Sequence, residues 1–131
     1  YLMGDNMGYI LVLDKQFNIL DTIPVLDDVQ SPMSQAAKAD IEAATIVGHK
    51  GDNALLIFGS GSQDSNRNNA WLINTTDKQK FRIDLSPFFA RLKVTGIREL
   101  NIEGAATVKD KIILANRGNN AVPEKTKSLT P

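Results

Sequence analysis

Two stretches of the chain repeat each other. Asp40-Ile41-Glu42-Ala43-Ala44-Thr45-Ile46-Val47 returns as Asn101-Ile102-Glu103-Gly104-Ala105-Ala106-Thr107-Val108, with the Ile-Glu pairs 61 residues apart. Each stretch leads through a turn into a second apolar run. The first copy has Leu55-Leu56-Ile57-Phe58-Gly59-Ser60-Gly61, and the second has Ile112-Ile113-Leu114-Ala115-Asn116-Arg117-Gly118. From the Glu to the last Gly the interval is 19 residues in one copy and 15 in the other, and a longer turn around Gly48 to Asn53 is expected to absorb the difference. Short apolar runs bounded by Gly, Asn and Asp read as strands. A strand pair of this kind cannot bury its faces alone, so repeated pairs are expected to stack on one another.

The rest of the chain matches the same unit. Tyr9 to Leu13, a turn with Asp14-Lys15-Gln16, and Phe17 onward echo Trp71 to Asn74, a turn with Asp77-Lys78-Gln79, and Phe81 onward. The chain therefore parses as the end of one unit (1–26), a complete four-strand unit (40–85), the start of a third (101–120) and a linker or loop (121–131). Four antiparallel strands repeated at tens of residues are the pattern of β-propeller blades. The expected fold is all-β, one partial propeller domain over 1–131, from a protein of six or seven blades. The period exceeds the usual ~40–50 residues, and 27–39 and 86–100 are expected to take up the excess between blades. A free-standing small β-sandwich is the competing architecture.

Two short helices are expected, at Met33 to Lys38 and at Ser86 to Leu92. Ser86 is the candidate N-cap of the second, with Pro87 in its first turn. Both are too short to cross over a parallel sheet. The opening Tyr1-Leu2-Met3-Gly4-Asp5-Asn6 reads as the end of a strand, and the close from Pro123 to Pro131 as a polar connection. The expectation is a segment of a longer protein.

Composition removes several classes of function. Fifteen basic residues balance fifteen acidic ones, so no basic surplus points to nucleic acid. The absence of cysteine excludes disulfides, thiolate-held zinc, iron–sulfur clusters and a thiol nucleophile. The apolar runs are too short for a transmembrane helix. No signal peptide is visible; a periplasmic or extracellular location is favoured over the cytoplasm, with the export signal on a preceding segment.

Chemistry concentrates at the equivalent ends of the two copies. Glu42 and Glu103 precede strands that line the central channel of a propeller. Carboxylates converging there can bind a hard cation such as Ca²⁺ or act as acid and base. The structural alternative is that each accepts hydrogen bonds or pairs with Arg. Asp40 and its counterpart Asn101 lie two residues before these glutamates, on the same side of an extended chain. Arg67 and Arg117 follow the second strand of each unit, where they suit an anionic ligand or a Glu–Arg lock.

Other motifs are weak. Asp64-Ser65-Asn66-Arg67-Asn68 opens like a calcium loop, but Asn69 and Thr75 stand at the sixth and twelfth positions, where an EF-hand needs Gly and Glu. Gly59-Ser60-Gly61-Ser62 lacks the remainder of a phosphate loop and reads as a turn. Ser60 and Ser62 are poor nucleophile candidates, because the sole histidine, His49, lies in another turn. Asn74-Thr75-Thr76 is a hairpin turn, and Trp71 a core residue.

Asp84-Leu85-Ser86-Pro87-Phe88-Phe89-Ala90-Arg91-Leu92, Glu99 to Ala106, and Ile112 to Asn119 together resemble an uncharacterised family of bacterial β-propeller proteins. Lys38 to Ala43 and Leu55 to Ser62 fit the same family. Ile102-Glu103-Gly104-Ala105, a strand and Asn116-Arg117-Gly118 more distantly resemble the esterase-like domain of phytase-type propellers. The resemblance implies a fold and no agreed activity. Two functions follow as expectations. The first is a scaffold binding a small-molecule or protein ligand through its channel or one face. The second is a metal-assisted phosphoester or ester hydrolase using Glu42 and Glu103.

Overall fold

A computed structural model describes residues 1–5, 7–26, 38–63 and 66–118. All but Lys38 of the expected helix over 33–38 and the connection over 121–131 lie outside the described residues, as do Asp64 and Ser65. The described chain is mostly β and all its sheets are antiparallel. Strands β1 (Tyr9–Leu13) and β2 (Ile19–Pro24) form a hairpin. Strands β3 (Ile41–His49), β4 (Asp52–Gly59), β5 (Asn69–Asn74) and β6 (Lys80–Asp84) form a four-stranded meander in that order. Helix α1 (Ser86–Val94) leads to a last hairpin, β7 (Ile102–Val108) and β8 (Lys111–Asn116). The described residues do not close into a ring. None of their helices is long and apolar enough to cross a membrane.

The repeat is present in the geometry, including its irregularities. Ile41 faces Gly59 while Ala43 faces Phe58, so Glu42 is an extra, bulged residue. Ile102 faces Asn116 while Gly104 faces Ala115, so Glu103 is bulged identically. Beyond the second strand, Ser60 N donates to the Asp40 carbonyl (2.9 Å) and Arg117 N to the Asn101 carbonyl (3.0 Å). The β1–β2 and β5–β6 turns also correspond. Asp14 Oδ1 accepts from the backbone of Gln16 and Asn18, and Asn74 Oδ1 from that of Thr76 and Asp77. With Asp14 set against Asn74, the Leu2–Leu11 bridge matches the Ile57–Trp71 pair. Residues 1–5 then stand where Leu56 to Ser60 stand in the next unit.

The β3–β4 turn is not the longer one: Lys50-Gly51 and Lys109-Asp110 both join their strands directly. Instead β3 and β4 run for 9 and 8 residues, against 7 and 6 for β7 and β8. Lys50 (φ 51°) and Gly51 (φ 88°) are both left-handed, the pairing a two-residue hairpin with right-handed strand twist requires.

The three sheets stack, and the middle one is covered on both sides. Leu55, Ile57, Trp71 and Ile73 pack on Ile10, Ile23 and Val25 of the first hairpin. Leu56, Phe58 and Ala70, on the opposite face, pack on Leu100, Ile102 and Phe89 of α1. This is why β4 reads as an unbroken apolar run rather than an alternation. The first turn of α1 is not capped by Ser86. Its backbone N–H is instead held by Asp84 Oδ1 at 2.8 Å, and Leu85 takes the cap position. The third hairpin is tied to the second unit by Ile102 N donating to the Ser60 carbonyl at 2.8 Å.

Gly59 is where backbone meets backbone. A Cβ there would lie 2.5 Å from the Arg67 carbonyl oxygen and 2.9 Å from that of Ala39. Neither backbone can yield cheaply. Gly59→Ala is therefore expected to cost about 2 kcal/mol in urea unfolding, whereas Gly48→Ala, with no atom within 4 Å of the added carbon, leaves the midpoint within error or raises it.

Candidate functional site

The stacking brings β3 and β7 side by side, with Thr45 Oγ1 and Thr107 Oγ1 hydrogen-bonded at 2.9 Å. A groove of about 460 Å³ runs along them. Glu42 and Glu103 stand in its wall, and Ala43, Ala44, Gly104 and Ala105 leave its backbone accessible. Tyr1 and Met3 contribute from the first unit.

The charged groups divide into an internal lock and an open pair. Asp40 is buried in the lock. Its Oδ1 meets Lys38 Nζ at 3.0 Å, and its Oδ2 meets Arg67 Nη1 at 3.4 Å and accepts from Ser60 Oγ. Lys38 also reaches Asp5 of the first unit at 3.0 Å. Burial alone would raise the Asp40 carboxyl; the Ser60 hydroxyl, Lys38 and Arg67 outweigh it and hold the group below its ordinary 3.8. Asp40 sits at φ 53°, a left-handed conformation that Asp tolerates better than most residues. The extended geometry expected around it is thus replaced by a kink, which still turns its carboxylate toward Glu42.

Glu103 accepts from Arg117 Nη1 at 2.9 Å and from Asn101 Nδ2 at 3.2 Å. Asn101 Oδ1 is buried and has no hydrogen-bond partner among the described residues. Glu42 has no ion pair among the described residues. Burial raises its carboxyl above the ordinary 4.5, and the Asp40 charge and the neighbouring Glu103 push it the same way, against Arg117. A carboxyl in this position holds its proton longer than a free one.

All six residues singled out from the sequence meet at this junction. Both arginines pair with acids of their own unit, Arg67 with Asp40 inside the lock and Arg117 with Glu103 at the open groove. Asp5 and Lys38 complete the cluster and were not singled out. The signal for Asp5 was Tyr1-Leu2-Met3-Gly4-Asp5 aligning with Leu56-Ile57-Phe58-Gly59-Ser60. One carboxylate oxygen each from Asp5, Asp40 and Glu42 lie within 4.8 Å of one another, the donor type a hard cation prefers. The Asp40 oxygens already carry Lys38, Arg67 and Ser60, so Glu42 is the more available ligand. His49 lies at the far end of β3, its ring 6.2 Å from that of Phe81, and takes no part.

Removing the Asp40 charge takes a buried counter-ion away from Lys38 and Arg67. Asp40→Asn is expected to cost about 3 kcal/mol at pH 7. A folded carboxyl held below 3.8 stabilises above that pH and loses its contribution as pH falls through the lowered value. The gap between Asp40→Asn and the parent in denaturant titrations should therefore narrow below pH 3.8.

No curated protein and no solved structure matches the chain. A profile described as a family of unknown function, DUF6929, matches residues 1–128, and the chain belongs to that family.

Proposed function

We propose that this chain is a portion of a β-propeller that works as a ligand-binding scaffold, with the β3–β7 groove as its site. The stacked sheets, the identical bulges at Glu42 and Glu103 and the repeated turns support the blade reading. In that reading β3 and β7 are successive innermost strands and the groove faces the channel. The observation that carries the function is Glu42: a half-buried carboxyl beside a second carboxyl, unlocked, in a groove walled by Ala and Gly. Such a site suits a small ligand that donates hydrogen bonds or carries positive charge. The orphaned Asn101 Oδ1 adds an acceptor next to Glu103.

Amide and side-chain shifts on titration with putrescine and with Ca²⁺ test this. Shifts centred on Glu42, Thr45 and Ala105, lost in Glu42→Gln, are the expected result. No response to either probe would overturn it. Binding a cation displaces the raised Glu42 proton, so apparent affinity should rise as pH rises through that pKa.

The same group gives a stability signature. A carboxyl raised in the folded state contributes most below its unfolded value and costs stability as pH climbs from 4.5 through the raised value. Glu42→Gln removes that cost, so its unfolding midpoint should exceed the parent's at pH 7 and converge with it at pH 4.

A second reading is metal-assisted hydrolysis of phosphoesters or esters, favoured by the Asp5, Asp40 and Glu42 oxygens within 4.8 Å. It requires a cation to displace Lys38 or Arg67 from Asp40. Turnover of p-nitrophenyl phosphate or acetate that vanishes with chelator and returns with Ca²⁺ would establish it. Absence of turnover leaves the binding scaffold.

A further inference from the structure

The first two sheets show what covers a sheet of this repeat. Ile10 pairs with Ile23 across β1–β2, as Ala70 pairs with Ile83 across β5–β6. Ile23 is 3 % exposed because Trp71 and Ile73 of the following sheet, with Leu55 and Ile57, close over it. Its counterpart Ile83 is 39 % exposed. In the third sheet Ile112 and Leu114 stand where Leu55 and Ile57 stand in the second, since Ala115 and Phe58 occupy the same place after the bulge. Nothing among the described residues stands where Trp71 and Ile73 would be.

A cavity of about 240 Å³ marks that place. Its lining is apolar throughout and includes Leu56, Phe58, Ala70, Ile83, Phe88 and Ile112. Beside it, β8 pairs only with β7, so its outer edge meets no strand among the described residues. An unpaired edge next to an apolar socket is the arrangement that accepts an added strand.

We infer that the outer edge of β8 and this cavity form a docking site for an antiparallel β-hairpin of the same repeat type as β5–β6. The register follows from the second unit. Trp71 lies opposite Ile57 and Ile73 opposite Leu55. The docked strand therefore places a large aromatic side chain opposite Leu114, filling the cavity and covering Ile83. Two residues later it places a β-branched aliphatic opposite Ile112. Backbone hydrogen bonds to the edge supply affinity, and the aromatic in its socket supplies register. The inference rests on the blade reading above, which makes the third sheet a unit of the same kind as the second.

A synthetic peptide covering residues 68–85 is the probe, titrated into the isotopically labelled chain. The expected result is slowed hydrogen exchange along β8 and shifts at Ile83 and Phe88, with affinity falling at least tenfold for the Trp71→Ala peptide. In the chain, Ile83→Glu at the exposed mouth of the cavity should weaken binding while leaving the fold intact by circular dichroism. A peptide that leaves β8 unchanged, or binds equally well without its Trp, overturns the inference. So does a concentration-dependent dimer that Ile83→Glu abolishes in the absence of any peptide binding, which would assign the face to a second copy. Putrescine and Ca²⁺ shifts at Glu42 are read in the same samples. Their persistence when the peptide fails would sink the docking site and leave the groove reading standing.

Discussion

The double burial of β4 is the constraint on which the rest depends. Ala54, Leu55, Leu56, Ile57 and Phe58 alternate between two apolar faces, and every one of these side chains is buried. A single antiparallel sheet would leave one of them exposed. The chain satisfies both only by stacking a hairpin on each side, and that stacking sets where every later feature sits. The strand pairs themselves are local and form between near neighbours in sequence. What holds them in order is side chains from one sheet resting on the next.

Stacking also explains why charge collects where it does. Three sheets packed face to face bring the equivalent ends of their strands together. Position by position, the residue after the second strand is Asp5, Ser60 and Arg117 in successive units. The backbone frame is shared, while the chemistry differs at each step. Asp5 reaches forward to Lys38, Ser60 turns back to Asp40, and Arg117 turns back to Glu103. The first two belong to a lock, centred on the buried Asp40, that braces one unit against the next. The third leaves its acid partly exposed in the groove, beside Glu42. A repeat frame with unequal side chains thus braces one junction and leaves carboxyls open at another.

The bulges give this division its geometry. Each inserts one residue at the start of the first strand of a unit, which re-aims a glutamate that a regular ladder would place differently. Gly59 permits the close approach of the Arg67 and Ala39 backbones just beyond one bulge. At the matching position of the third unit, Asn116 uses its side chain to hold Asn101 N and the Glu99 carbonyl. The same turn is therefore secured by omission of a side chain in one unit and by its hydrogen bonds in the other.

Much of this was legible in the sequence. The repeat, the strand pairs, the turns at Asp14 and Asn74, and the burial of Trp71 follow from local pattern, because alternation and turn chemistry act over a few residues. Six of the residues at the junction were legible for the same reason: they occupy matching repeat positions. The pairing of Asp5 with Lys38 was not, since it is a contact between units made by residues 33 positions apart. The left-handed Asp40, the equal hairpin turns and the hold of Asp84 on the Ser86 N–H were likewise hidden, because each depends on local geometry that residue type alone does not set. Local pattern along the chain dictates the antiparallel unit and its repetition. Which charges are locked and which are open follows from the packed fold alone, because it depends on how deeply stacking buries each one and which partner it brings within reach.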